Sequence, residues 1–402
     1  MAAPLLPFRL PPPVGGRADL LVIAGEHSGD EHAARLVREA RDREPGLAVA
    51  ALGGPALAGA GGQLLHDLTA SSVVGIVEVL RNYSYFRALF EEILRWVAEY
   101  RPRAVCLVDY PGMNLRLAAA LRERGISVKG GGETRVVYYI SPQIWAWKAG
   151  RRFAMARDLD AMAVIFPFEP SCYADTPLPV EFVGHPFLAP GYVSPVRHDP
   201  AGPVLLLPGS RRQPVERIFP ALLAGWNASG QSEAVVLYPS EEIRDVLRAA
   251  NPPPAVQLLP VGFGEKGAGS VAACAVLTSS GTMSMHCALA GIPGAIAYRA
   301  NPVTYLIGRM LVRVEYLGIA NLLLKEPMYP EYIQGAATPA ALAKALQAAF
   351  NATMKNPEFV AEAQKRNIEV QLITSEQVIG VLTKAAAAPS SVIERVKKAL
   401  ER

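Results

Sequence analysis

The sequence predicts an α/β chain with two parallel sheets, and three observations carry that prediction. Short, wholly apolar runs such as Val204-Leu205-Leu206-Leu207 recur and read as strands buried on both faces. Helix-length stretches with apolar residues at helical spacing alternate with them, the pattern of repeated βα units. A Pro- and Gly-rich stretch from Gly184-His185-Pro186 to about Pro203 interrupts the alternation near the middle and reads as an interdomain linker. At 402 residues the chain is long enough for two full cores. The expected division is a disordered leader over 1–17, a first α/β domain over 18–186, a linker over 187–203, a second domain over 204–355, and C-terminal helices over 356–402.

Composition narrows the function. Apolar residues make up 51% of the chain and charged residues 19%, with a net charge of +4. That mild basicity argues against nucleic acid as a partner and suits an anionic substrate or membrane surface. Residues 1–17 are broken by Pro11-Pro12-Pro13 and lack the continuous apolar core of a signal peptide. No uninterrupted apolar run reaches the roughly 18 residues of a membrane span. Cys106, Cys172, Cys274 and Cys287 show no CxxC spacing and read as thiols of a reducing compartment. The histidines show no ligand spacing, so no metal is expected.

Taken in order, Asp19–Gly25 is the first strand. It runs into Gly25-Glu26-His27-Ser28-Gly29-Asp30 and a helix through Val37. Leu47–Leu52 is a second strand before Gly53-Gly54-Pro55. Leu80 to Tyr100 reads as a helix with Tyr83, Tyr85, Phe86, Phe90 and Trp96 on it. Most of these aromatics suit a core, but Tyr85 and Phe86 beside Arg87 also suit a lipid interface. Ala104–Asp109 is a strand with Asp109 at its carboxyl end, where open α/β sheets bind ligands. Asp109 is either a general base or a loop hydrogen-bonder, and spacing does not separate the two. Val136–Ile140 precedes the turn Ser141–Trp147 and the basic residues Lys148, Arg151 and Arg152. Ala161–Phe166 and Glu181–Val183 complete the first sheet.

In the second half, strands fall at 204–207, 234–238, 256–259, 274–278 and 294–298. Pro208-Gly209-Ser210-Arg211 ends the first of them, and Pro214 and Glu216 suit the first turn of the helix that follows. A glycine turn feeding a helix start favours anions, and Arg211 adds a fork that matches phosphate oxygens. Val261-Gly262-Phe263 follows a strand and offers a seat for a planar base. Ser279-Ser280-Gly281-Thr282 opens a helix and reads either as a phosphate loop or as simple capping. Beyond about residue 336 the chain reads as helical, with Thr338 as N-cap, then Phe359–Leu372, then a helix from Ser375.

The motifs AGEHSGD, GIVEVL, DYPGMNL, YISPQIWAW, FPFE, FVGHP, LLPGSRRQPVE, SSGT and EYIQ, in that order between about residues 20 and 385, resemble the lipid-A-disaccharide synthases. These are inverting glycosyltransferases of the GT-B fold, in which two Rossmann-like domains face a central cleft and C-terminal helices return to the first domain. The resemblance implies condensation of UDP-2,3-diacylglucosamine with 2,3-diacylglucosamine 1-phosphate, giving the β(1→6) disaccharide 1-phosphate and UDP. It implies Asp109 as base for the acceptor hydroxyl and Glu26, Ser28 and Asp30 on the acceptor side. It places Gly209, Ser210 and Arg211 on the donor diphosphate, and Ser280, Gly281 and Thr282 on the second phosphate loop. Asn321, Glu331 and Gln334 match polar positions near the donor, with Gly262 and Phe263 joining that side. Neither a cofactor nor a metal is implied. The expected setting is the cytoplasmic face of the inner membrane, bound peripherally through Tyr85, Phe86, Arg151 and Arg152, with a homodimer as a further expectation.

Three departures stand out. His286 replaces a usual Glu, one turn past Thr282, where an acceptor for ribose hydroxyls is expected; a neutral imidazole accepts only one hydrogen bond. Gly112-Met113 replaces a carboxylate-bearing stretch but leaves Asn114. The Gly130–Glu133 loop is longer than usual. Two other readings compete: a UDP-N-acetylglucosamine 2-epimerase-like enzyme, which leaves SPQIWAW and GEHSGD unexplained, and a catalytically silent binder of UDP-sugar or lipid.

Overall fold

The computed structural model describes residues 9–69, 83–189, 192–261, 269–302, 305–306, 310 and 314–354. The chain divides into two compact units, Met1–Val193 with Ala300–Glu315, and Ser194–Arg299 with Tyr316–Arg402.

The first unit holds β1 (Leu20–Ala24), β2 (Val49–Gly53), β3 (Gln63–Asp67), β4 (Ala104–Val108), β5 (Arg135–Tyr139), β6 (Ala161–Val164) and β7 (Val180–Phe182). They form one parallel sheet in the order β3-β2-β1-β4-β5-β6-β7. Helices α1 (His27–Arg43), α2 (Pro55–Gly59), α3 (Tyr83–Tyr100), α4 (Pro111–Glu123) and α5 (Arg151–Asp158) connect the strands. Alternate residues of β1 supply two different cores, as the pleat requires. Leu21 and Ile23 pack with Leu89, Ile93 and Trp96 of α3 and Leu117 of α4, whereas Val22 and Ala24 pack with Ala33, Ala34 and Val37 of α1. Strands buried on both faces carry no polar alternation, which is why they read as continuous apolar runs.

The second unit repeats the plan. Its strands β9 (Val204–Leu207), β10 (Ala234–Tyr238), β11 (Val256–Pro260), β13 (Ala275–Thr278), β14 (Gly294–Tyr298) and β15 (Glu331–Ile333) form a parallel sheet in the order β11-β10-β9-β13-β14-β15. Its helices are α6 (Arg212–Ala228), α7 (Glu241–Ala249), α8 (Thr282–Leu289), α9 (Ile319–Leu324) and α10 (Pro339–Met354). Val204 and Leu206 face the core with Phe219, Leu222 and Leu342, while Leu205 and Leu207 face Cys287, Ile292 and Tyr329.

Several expectations are corrected. Residues 9–17 are no loose leader: Leu10 is buried among the α3 residues, its N–H donates to Glu92, and the Trp96 indole N–H donates to the Pro11 carbonyl. The prolines there give a rigid extended segment laid on α3 instead of disorder. Part of the stretch read as linker is β8 (Val196–His198), paired in parallel with β12 (Val271–Ala273). Strand β3 escaped the sequence reading because Gln63-Leu64-Leu65-His66-Asp67 is polar at three of five positions, as suits a sheet edge. Helix α6 starts at Arg212 and so does hold Pro214 in its first turn, where the missing N–H of proline would have no partner. The C-terminal helices, all of GIVEVL and the Gly262-Phe263 turn lie outside the described residues.

Candidate active site

Each sheet changes direction once, and the predicted motifs flank that point. In the first unit the chain builds from β1 outward through β2 and β3, then returns to the other side of β1 with β4. In the second it builds from β9 through β10 and β11, then returns beside β9 with β13. Ligands of open α/β sheets bind outside the carboxyl ends of the strands at such a switch. GEHSGD follows β1 and DYPGMN follows β4; PGSR follows β9 and SSGT follows β13.

The first switch is built on unusual backbone. Asp109 and Tyr110 are consecutive non-glycine residues at positive φ, +44° and +50°. Each costs roughly 1–2 kcal/mol, so the surroundings must hold them. The Asp109 N–H donates to the Tyr139 carbonyl at 3.0 Å. The Asp109 carbonyl accepts from the Tyr138 hydroxyl at 2.5 Å and from the Asn114 amide at 2.8 Å. Asn114 is wholly buried and also donates to the Val108 carbonyl, so it braces the loop. Burial first, and then the Asp109 charge, push the Tyr138 hydroxyl well above its ordinary range, which keeps it a donor.

Glu26 is the N-cap residue of α1 and is half-buried, with Ser28 exposed on the first turn. Burial raises the Tyr110 hydroxyl, and the Glu26 charge raises it further, placing Glu26 beside Tyr110. Asp30 has a different task from the one expected. It is 2% exposed, and its carboxylate accepts from the N–H groups of Gly54, Ala56 and Leu57 at 2.7, 2.9 and 3.3 Å. It therefore caps α2 and ties the turn after β2 to α1.

The remaining loops at this edge form a chain of rings. Phe166 and Phe168 stack at 5.7 Å, the Trp145 ring meets both edge-on, and His185 lies between Phe166 and Phe187. The Phe187 N–H donates to His185 Nδ1 at 3.2 Å, and burial lowers that imidazole to a pKa of about 4. Arg35 of α1 lies over the Tyr192 ring at 4.3 Å and donates to the Pro186 carbonyl. Burial raises Glu31 to about 7, and burial likewise raises Glu169 to about 7. The sequence reading named the FPFE and FVGHP motifs without singling out Glu169 or His185. It missed Glu31 and Arg35, whose only signal is their spacing on α1.

At the second switch Gly209 takes φ +115°, and a β-carbon there would lie 3.3 Å from Ser279 Oγ, so the two phosphate-type turns adjoin. Ser210 and Arg211 are exposed at the start of the 17-residue α6. Gly281 and Thr282 are exposed at the start of α8, and Ser280 is half-buried. Their helices present first-turn N–H groups and positive dipole ends at one edge.

Three expected donor contacts are placed otherwise. His286 is 1% exposed, packed inside α8's own surroundings and not presented to solvent. Asn321 is wholly buried: its amide donates to the Tyr329 carbonyl and to Glu331, and its Oδ1 accepts from the Tyr329 N–H. Glu331 accepts from the N–H groups of Leu317 and Gly318 as well, so this pair fixes the loop before α9. Gln334 is half-buried at the end of β15 with φ +54°.

The aromatic helix is likewise mostly core. Tyr85 packs against the first core and its hydroxyl meets His66 Nε2 at 2.7 Å, while Phe86 is half-buried. Trp147 and Phe153 are among the aromatics exposed at the surface, at 41% and 54%. Lys148 Nζ and the Arg151 guanidinium lie 4.3 and 5.2 Å from the Trp147 ring centre. Arg152 forks onto Asp175. Among the described residues no group of three or more His, Cys, Asp or Glu is placed to hold a metal ion, and no helix is long and apolar enough to cross a membrane.

Comparison with known proteins bears on the same residues. A family model described as lipid-A-disaccharide synthetase matches residues 20–379. Lipid-A-disaccharide synthase 1 of Legionella pneumophila (strain Lens) is 36% identical over 336 residues, covering 78% of this chain and 83% of that protein. Lipid-A-disaccharide synthase of Nitrosococcus oceani is 34% identical over 342 residues, covering 80% and 84%. A crystal structure described as the glycotransferase of kitacinnamycin is similar in fold, with a TM-score of 0.54, 14% identity, and coverage of 87% of this chain and 94% of that one.

Proposed function

The chain belongs to the lipid-A-disaccharide synthetase family, and from that membership we propose how its residues divide the reaction. It is a glycosyltransferase of lipid A biosynthesis with the GT-B class of fold, and its family implies a UDP-sugar and a lipid-type acceptor. In the proposed reaction the Asp109 carboxylate takes the proton of the 6-hydroxyl of 2,3-diacylglucosamine 1-phosphate. That oxygen attacks the anomeric carbon of UDP-2,3-diacylglucosamine from the face opposite UDP. The bond to UDP breaks with its electron pair on the diphosphate, and the new linkage is β(1→6). Arg211 and the N-terminus of α6, with Gly209 and Ser210, stabilise the charge that grows on UDP, and the SSGT turn shares that load. Glu26 and Ser28 border the acceptor. Arginine and helix dipoles supply the neutralising charge here, so the reading includes neither cofactor nor metal.

The observation that supports this reading best is the pairing of motif loops at both switch points. The test is an assay of purified protein with both acylated substrates in detergent and chelator, following UDP and disaccharide together. Equal release of UDP and disaccharide is expected. UDP binding without disaccharide would favour the silent binder.

Peripheral docking on the cytoplasmic face of the inner membrane is part of the proposal, with the surface moved to Trp147, Lys148, Arg151 and Phe153. An exposed ring flanked by cations suits an anionic interface. A homodimer belongs to the same proposal and is tested by sedimentation in detergent.

A further inference from the structure

We propose that Tyr138 and Asn114 are positioning residues, whose two hydrogen bonds to the Asp109 carbonyl fix the direction in which the Asp109 carboxylate points. The inference rests on the reading of Asp109 as the base.

The geometry leads to it in steps. A strand residue normally sends its side chain perpendicular to the sheet. At φ +44° Asp109 leaves that course just past β4, and Tyr110 at +50° carries the turn into α4. Left alone, two such residues relax toward negative φ. The Asp109 N–H is held by the Tyr139 carbonyl, and the Asp109 carbonyl offers a second backbone grip from below. That carbonyl receives the Tyr138 hydroxyl at 2.5 Å from the neighbouring strand β5 and the Asn114 amide at 2.8 Å from the first turns of α4. Tyr138 is wholly buried, so its hydroxyl has no water to serve instead. Its ring fills the core beneath the loop while its one polar atom reaches the strained peptide. A tyrosine placed only for packing needs no hydroxyl; phenylalanine fills the same volume.

Tyr138→Phe tests this, because the ring stays and the donor goes. Loss of alignment at a base of this kind is expected to lower kcat by roughly tenfold to a hundredfold. KM for both substrates and the UDP dissociation constant stay within about twofold, since Tyr138 is wholly buried and presents no surface to a ligand. Asn114→Ala removes the other donor and carries the same expectation, should the first variant fold poorly. Asp109→Asn, run alongside, separates the two readings. Turnover retained in Asp109→Asn overturns the base assignment and this proposal with it. Turnover lost in Asp109→Asn but kcat within twofold of wild type in Tyr138→Phe overturns the positioning role alone. A parallel loss of kcat, substrate affinity and thermal stability in Tyr138→Phe also overturns it, because a merely structural residue would act that way.

Discussion

The ring of Tyr110 occupies the space that a β-carbon on Gly25 would need, with its Cδ1 2.3 Å from that position. The two loops at the first switch are thus fitted to each other, GEHSGD yielding a side chain so that DYPG can turn over it. Gly25→Ala forces the Tyr110 ring away, and with it the strained peptide beside Asp109. Overpacking of this kind costs about 1–3 kcal/mol. We expect that loss in chemical denaturation together with a fall in kcat. A variant with wild-type kcat would show that Tyr110 moves without disturbing Asp109.

Asp109→Asn keeps the shape of the loop and removes the proton acceptor. Turnover should fall to background while calorimetry still detects UDP at near-normal affinity. Substantial turnover would remove Asp109 from the role of base.

Arg211 stands exposed at the start of α6. Arg211→Ala should slow the reaction by roughly a hundredfold to a thousandfold, about 3–4 kcal/mol of barrier, with a smaller loss of UDP affinity. Arg211→Lys should recover only part, since a point charge does not replace the fork. Complete recovery would reduce the role of Arg211 to charge attraction.

Glu169 is 1% exposed, and burial raises its carboxyl from the usual 4.5 to about 7, against the N–H groups of Phe166 and Ile165, which lower it. Between about pH 4.5 and 7 the unfolded chain ionises this group while the folded chain keeps the proton. The folded state then binds more protons, so stability falls as pH rises through that window. A shift of this size corresponds to roughly 3 kcal/mol above the window. Glu169→Gln should abolish this contribution. Denaturation curves from pH 5 to 8 should show the wild type losing about 2–3 kcal/mol relative to the variant. Matching slopes would contradict the protonated form.

Replacing Trp147 and Phe153 by Ser should release the protein from anionic vesicles and raise the apparent KM for lipid substrate presented in them. In detergent the change should be small. Tyr85→Phe should leave vesicle binding unchanged, since its hydroxyl faces His66. Flotation that stays at wild-type level in the double Ser variant would exclude this surface.

Much of the fold was legible because strands buried on both faces leave unbroken apolar runs, and nearly every sequence-read strand has its counterpart. Two short strands left no such trace: β3 at a sheet edge is polar, and β8 lies among prolines. The site was legible at its loops and less so in its roles. Motif spacing singled out Asp30, Asn114, Asn321 and Glu331. It had no means of showing which backbone groups they hold, because that depends on how the chain folds back on itself, as with Asp30 and the Gly54 N–H. Tyr138 read as one more strand residue, since nothing in Val136–Ile140 distinguishes a tyrosine used for its hydroxyl from one used for its ring.

The placing of β1 has a consequence for how the chain is made. Leu20 pairs with Val49 on one side and with Ala104 on the other, and Val204 later waits in the same way for Ala275. A ribosome therefore delivers an interior strand of each sheet first and its second neighbour long after, at about 5–20 residues per second. During those seconds the apolar edge of β1 stands open, as does that of β9. Nascent chains of this protein should then depend on a holding chaperone until the strands carrying Asp109 and Thr278 have emerged.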